Sequence, residues 1–204
     1  MDRLVSPSFS PATLATAFAV TPHLSHDRAV SHILTDSRSL LTPEETLFFA
    51  IRTESGDGHR YIESLYERGV RSFVVEQLSS ETEAKYSGCN WYVVTSSITA
   101  LQALARTHRE RFPLLHTIGI TGSNGKTVVK ELLYQLLSPC FHTMRSPRSY
   151  NSQIGVPLSV LSITATDEVA LIEAGISRPG EMAALEEVIA PQIGVFTSLG
   201  SAHQ

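Results

Sequence analysis

TIGITGSNGKTVVKELLYQLL, running from Thr117 to Leu137, sets a short apolar run, a glycine turn, a lysine and a helix-like pattern in that order. Thr117–Ile120 reads as a buried strand. From Lys126 to Leu137 the apolar residues Val128, Val129, Leu132, Leu133, Leu136 and Leu137 fall on one broad face, which predicts a helix. A strand that turns through glycines into a helix is the setting in which backbone N–H groups converge on an anion. Gly122 and Gly125 let the loop curl, and Lys126 adds a point charge suited to the β- and γ-phosphates of a nucleotide. Thr127 would offer its hydroxyl to Mg2+. The expected phosphate loop is thus Thr121, Gly122, Ser123, Asn124, Gly125, Lys126 and Thr127. The competing view, a glycine turn with a solvated lysine, does not explain why the loop sits between a strand and a helix. One position departs from the general G-x-x-x-x-G-K-[ST] pattern: Ile120 stands where the first glycine is usual.

Beyond this stretch the second half keeps alternating. VALIEAG (Val169–Gly175) has the continuous apolar run of a strand buried on both faces. RPGEMAALEEVIA reads as a helix and IGVFTSLG as a further strand. Strand–helix–strand alternation predicts an α/β fold with a parallel sheet covered by helices. The first half has short β-like runs at Val30–Leu34, Thr46–Ile51, Ser72–Glu76 and Trp91–Thr95. Two helical patterns accompany them, HRYIESLYERGV, stopped at Gly69, and SITALQALARTHRERF, stopped before Pro113. The expected division is a small mixed unit over residues 1–113 and a parallel-sheet unit over 114–204. SAHQ follows directly on a strand, so the second sheet looks unfinished and the chain reads as an N-terminal fragment.

Composition sets limits on partners. Of the 204 residues, 42 % are hydrophobic and 18 % charged, as in ordinary globular domains, and the net charge of −4 gives no basic field for nucleic acid. An anionic ligand must therefore be held by local groups. Cys89 and Cys140 have no paired spacing and read as two free thiols. The N-terminal SPATLATAFAV is interrupted by Pro11, Thr13 and Thr16, so it reads as a short helix capped by Ser10 rather than a leader peptide. No stretch approaches the roughly 20 apolar residues of a membrane helix. A cytoplasmic location is the expectation, with no membrane insertion.

Several stretches together carry a family resemblance. GITGSNGKT resembles the ATP loop of the Mur ligases and of the related folylpolyglutamate synthetases. YNSQIGVPLSVL (Tyr150–Leu161), ALIEAGISRPGEM (Ala170–Met182) and GVFTSLGSAHQ (Gly194–Gln204) are similar to three further segments of the Mur ligase branch that adds D-Ala-D-Ala. LTDSRSLLTPEETLFFAIRTESGDGHRYI resembles the family's N-terminal UDP-binding domain, with its D-S-R and D-G-H elements. The motifs fall in the family's order and cover nearly all of the chain past Val30. Two departures stand out: Glu44-Glu45-Thr46 precede the LFF run where glycine is frequent, and Asn151 is followed by Ser152 rather than a second asparagine. The EAGISRPGE wording is similar to versions fused to a C-terminal alanine racemase.

The resemblance implies an ATP-dependent ligase that joins the carboxylate of UDP-MurNAc-tripeptide to the amine of D-Ala-D-Ala through an acyl phosphate. Lys126, Glu173 and His203 would carry the catalysis. Thr127, Glu173 and His203 would hold Mg2+, Asn151 would lie at the ATP site, and Ser37, Arg38, Asp57 and His59 would hold the UDP end. Each has a plainer reading. A histidine near a chain end is often a surface residue, a strand-end glutamate often an ion pair, Ser37 and Arg38 a turn and a surface charge, and Asp57 and His59 a helix cap. The alternatives are another Mur ligase or folylpolyglutamate synthetase-like ligase, and a non-catalytic UDP-precursor-binding module. The 204 residues alone are expected to be inactive.

Overall fold

Runs rich in aromatic and β-branched residues build the first sheet. In the computed structural model, which describes residues 7–54, 56–175, 178, 180–198 and 200, these runs are β1 (His32–Leu34), β2 (Thr46–Phe49), the brief pair β3 (Arg52–Thr53) and β4 (Gly56–Asp57), β5 (Ser72–Val75) and β6 (Asn90–Val93). The sheet order is β1-β2-β5-β6, parallel throughout, while β3 and β4 pair antiparallel outside it. Every residue of β2 and β5 is buried, as a parallel sheet covered on both faces requires. Side chains alternate across the sheet. On one face Phe48 meets Phe73, and Phe73 stacks on Trp91 with ring centroids 5.0 Å apart, beneath Leu65 of helix α2 (Ile62–Glu67). On the other, Phe18 of helix α1 (Pro11–Phe18) sets its ring edgewise against Phe49 and Tyr92. Helix α1 begins as its sequence demands: Ser10 Oγ accepts from the Thr13 N–H, and Pro11 occupies the first turn, where its missing N–H costs nothing.

The second sheet follows helix α4 (Ser97–Arg109), after α3 (Ser80–Lys85). Its elements are β7 (His116–Thr121), α5 (Lys126–Leu137), β8 (Thr143–Arg145), α6 (Gly155–Leu161), β9 (Val169–Glu173), α7 (Glu181–Ile189) and β10 (Ile193–Phe196). The strand order is β10-β7-β9-β8, again parallel. The chain leaves β7 for the far edge at β8, returns to β9 beside β7, and crosses to β10 on the other side. Such a reversal leaves its crevice at the C-terminal ends of the central strands.

Three expectations change. The chain separates into compact units between Leu101 and Gln102, inside α4, rather than after Phe112. The reason lies in side chains. Gln102 donates to Gln153, Arg106 pairs with Glu187, and the buried His108 ring bonds the Ile163 carbonyl, so this half of α4 belongs with the second sheet. The apolar face of α5 is also divided. Val129, Leu133 and Leu137 pack on Ile120, Val169 and Leu171, but Val128, Leu132 and Leu136 are 63 %, 54 % and 73 % exposed. Finally, α3, β8, α6 and the β3–β4 pair were not anticipated. β8 is too short to show a period, and Pro157 speaks against a helix until its place in the first turn of α6 is known.

Both cysteines are free, Cys89 buried and Cys140 exposed. Among the described residues no helix is long and apolar enough to cross a membrane.

Candidate active site

The candidate residues of the second unit gather where β7 and β9 end side by side, with Ile120 paired to Glu173. The loop after β7 bends through Gly122 at φ +132° and Gly125 at φ +83°, conformations that side-chain-bearing residues rarely adopt. At Gly122 a Cβ would also run into Thr197 and Ser198, which lie directly against the loop. Lys126 opens α5, and its Nζ donates to the Gly122 carbonyl at 2.6 Å, closing the turn.

The cradle is narrower than the motif implies. The segment after β10 fastens onto the loop: the Ser123 N–H donates to the Ser198 carbonyl (2.8 Å) and the Asn124 N–H to Ser198 Oγ (3.2 Å). Thr197 Oγ1 donates to the Asn124 carbonyl at 2.6 Å, and the Thr197 N–H to the Thr121 carbonyl at 2.9 Å. Two loop donors are thereby engaged within the protein. The donors that remain beside the loop are the first-turn N–H groups of α5, which by helix geometry have no intrahelical acceptor, together with the Lys126 ammonium.

Glu173, the last residue of β9, is 1 % exposed. Its Oε2 accepts from Thr127 Oγ1 at 2.9 Å, and its Oε1 from Asn151 Nδ2 at 2.9 Å. The Asn151 carbonyl in turn accepts from the Gly175 N–H at 2.7 Å, which ties the asparagine to the end of β9. Ser152, standing where the resemblance has a second asparagine, acts locally, its Oγ accepting from the Gly155 N–H at the start of α6. Behind the carboxylate lies Lys130, fully buried, with Nζ 3.6 Å from Glu173 Oε2. Removing two such charges from water costs several kcal/mol per ion, about what their attraction returns. A pair of leucines would stabilise the helix–sheet contact as well, so the charges speak for chemistry rather than stability.

A buried carboxylate beside a hydroxyl is an oxygen donor set suited to a hard cation. Among the described residues no group of three or more acidic, histidine or cysteine side chains converges on a point. Thr127 and Glu173 therefore suit a cation that brings further oxygens of its own, such as one carried by a nucleotide. His203 lies outside the described residues.

The first-unit candidates are bound to one another. Asp36 caps a 3-10 turn over Ser37–Ser39 by accepting from the Arg38 N–H, and its Oδ2 takes the Arg38 guanidinium at 2.7 Å. That guanidinium holds the Asp36 carboxyl down at about 2. The Ser37 carbonyl accepts from Arg68 at 2.8 Å. Asp57 likewise caps the turn over Gly58–Tyr61, and the His59 N–H, then the His59 ring and Arg52, hold its carboxyl at about 2. His59 is used at both nitrogens. Nε2 accepts from the Glu76 N–H at 3.0 Å, so Nδ1 carries the proton and donates to Asp57 at 2.6 Å. Asp57 caps this turn, while the His59 ring ties it to the Glu76 backbone. Glu44 and Glu45, the departure before β2, bond Arg28 and Ser31.

Sequence reasoning missed Lys130 and Ser198. Lys130 had a signal: it stands four residues after Lys126, between Val129 and Leu133 on the sheet-facing side of α5. Ser198 had none, because its role depends on β10 lying beside β7.

Two consecutive parts of the chain match known families: residues 29–109 match the Mur ligase family, catalytic domain, and residues 120–204 the Mur ligase middle domain. The chain belongs to the Mur ligase family. Among curated relatives, the UDP-N-acetylmuramoyl-tripeptide--D-alanyl-D-alanine ligase of Treponema pallidum is 33 % identical over 82 % of this chain and 37 % of its own length. The enzyme of the same name from Synechocystis is 34 % identical over 89 % of this chain and 38 % of its length. The Mur ligase fold also matches a crystal structure of MurF from Acinetobacter baumannii, with TM-score 0.87 and 26 % identity over 97 % of this chain and 42 % of that one. MurF ligase from Thermotoga maritima, solved in complex with ADP, matches with TM-score 0.73 and 30 % identity over 84 % of this chain and 38 % of that one. This Mur ligase chain thus spans under two fifths of the length of the curated relatives described.

Proposed function

We propose that these residues form the UDP-precursor-holding unit and the front of the ATP-binding unit of a cytoplasmic ligase that joins D-Ala-D-Ala to UDP-MurNAc-tripeptide. The observation that carries this reading is the meeting of Lys126, Thr127, Asn151 and Glu173 at the C-terminal ends of β7 and β9. The relatives named for this reaction, and the MurF relative solved with ADP, support it.

A carboxylate is a poor acylating agent, so the reaction passes through an acyl phosphate formed with ATP, which the dipeptide amine then attacks. The protein supplies position and charge rather than a covalent step. The first-turn N–H groups of α5 and the Lys126 ammonium receive the phosphates and offset the charge that grows during transfer. Thr127 and Glu173 would hold Mg2+, which withdraws electron density from the phosphate oxygens when bound. His203 joins this reading as a ligand of a second cation near the substrate carboxylate. Asn151 keeps Glu173 oriented. In the first unit the Arg38 fork is the natural partner of a diphosphate, because its side chain is 87 % exposed while it rests on Asp36.

The test is a calorimetric titration of the full-length gene product with UDP-MurNAc-tripeptide, with a folate as control. Tight tripeptide binding, weakened by Arg38→Ala, and ATP-dependent coupling of D-Ala-D-Ala are expected. Preference for the folate would replace this reading with the folylpolyglutamate branch.

A further inference from the structure

Lys130 is the fully buried lysine of the described residues, and it has no place in the phosphate loop. Its Nζ donates to the carbonyls of Ser146 (2.8 Å) and Arg148 (2.5 Å) and faces Glu173 Oε2 at 3.6 Å, with Glu131 Oε1 at 3.7 Å. The two carbonyls belong to the segment that leads from β8 to Asn151. That segment passes through Arg148 at φ +47°, a backbone conformation a non-glycine residue holds only when its surroundings impose it. The same segment contacts β9 twice more: the Glu173 N–H donates to Ser146 Oγ at 3.2 Å, and Asn151 Nδ2 reaches Glu173 Oε1. One ammonium therefore joins helix α5, the strained turn and the buried carboxylate.

An anchoring amide could satisfy the two carbonyls. It would leave Glu173 as a lone negative charge at 1 % exposure, free to turn away from Thr127. Lysine meets both needs, because its stem crosses the apolar interface and its charge meets the carboxylate at the end.

We propose that Lys130 is a positioning residue for the cation-binding pair, holding Glu173 Oε2 against Thr127 and the Asn151 turn against the end of β9. This rests on the nucleotide reading of the site given above. Lys130 acts through Glu173 and touches neither phosphate nor substrate.

The experiment uses the full-length protein and reads ADP binding by calorimetry across a Mg2+ series, so it does not depend on turnover. Lys130→Met is expected to raise the Mg2+ concentration for half-saturation by about 10- to 100-fold, the usual effect of losing a group that orients a metal ligand. ADP affinity without Mg2+ and binding of the UDP precursor should stay within about twofold of the parent, since neither uses Glu173. The Glu173→Gln variant should share the Mg2+ defect, and adding Lys130→Met to it should change little. An unchanged Mg2+ requirement in a folded Lys130→Met protein overturns the proposal, as does a double variant whose defects multiply. Should Lys130→Met not fold, the double variant, which no longer strands a carboxylate, is compared with Glu173→Gln alone. Equal Mg2+ requirements support the positioning role and a further rise overturns it. A parent that binds ADP with Mg2+ but never ligates D-Ala-D-Ala refutes the ligase reading and leaves this result standing. A parent whose ADP binding ignores Mg2+ refutes both.

Discussion

The two sheets share an architecture and differ in what their polar residues do. Both are parallel, both are ordered around buried central strands, and both carry candidate site residues in loops. In the first unit those residues close on one another: Asp36 with Arg38, Asp57 with Arg52 and His59, His59 with the Glu76 backbone. In the second, Thr127 and Lys130 of one helix and Asn151 of a turn converge on one buried carboxylate at a strand end. Local pairs between near neighbours in sequence stabilise turns. A convergence of residues far apart in sequence around a charge that gains little stability is the mark of a site.

That contrast can be broken at several places. The largest effect is expected from Phe73→Ala, which empties the stack between Phe48 and Trp91 and should cost about 3–5 kcal/mol in denaturant unfolding of the first unit. Nucleotide binding should survive it under native conditions. Lys126→Ala should lower ligation by the full-length protein about 10²- to 10³-fold, roughly 2.7–4 kcal/mol, with UDP-precursor binding intact. Equal steady-state rates for mutant and parent would contradict the phosphate role. Glu173→Gln and His203→Ala should each raise the Mg2+ needed for activity by about tenfold, and a superimposable Mg2+ titration would remove that residue from the metal site.

Asp57→Asn sharpens the other side. It should cost about 1 kcal/mol at pH 7, the ordinary worth of a cap and a partly exposed pair, and leave the Mg2+ requirement alone. The native carboxyl, held at about 2, titrates below its unfolded value of 3.8. Its contribution is present in full above that value and is lost as pH falls toward 2. Stability of the parent should therefore decline with acid more steeply than that of Asp57→Asn. The smallest effect is a labelling rate. Burial pushes the Cys89 thiol up to about 11, while Cys140 is exposed, so a maleimide at neutral pH should take one equivalent at Cys140 and reach Cys89 only on unfolding.

The glycine loop and its lysine were the legible part of the candidate site. A strand, two glycines, a lysine and an amphipathic helix follow one another within the stretch Thr117–Leu137, so local periodicity and turn chemistry suffice to read it. Glu173 was legible through its place at the end of a buried strand, and Asn151 through its motif. The division of the apolar face of α5 was not. Six apolar residues at helical spacing look alike in sequence, and only the position of the sheet decides that Val129, Leu133 and Leu137 are covered while Val128, Leu132 and Leu136 are not. The division within α4 was hidden for the same reason. Its helical pattern is continuous, and only the partners of Gln102, Arg106 and His108 show which unit each turn serves.

The sequence by itself determined the α/β alternation, the Ser10–Pro11 helix start, the strand–glycine loop–helix order with its lysine, and the family. These rest on interactions between residues close along the chain, where spacing is the physics. The tertiary structure alone decided that β7 and β9 lie side by side, that Ser198 engages two donors of the glycine loop, and that Lys130 stands behind Glu173. Those contacts join residues separated by tens of positions, and which of them meet is set by the order of strands in a sheet, a choice that no local period records.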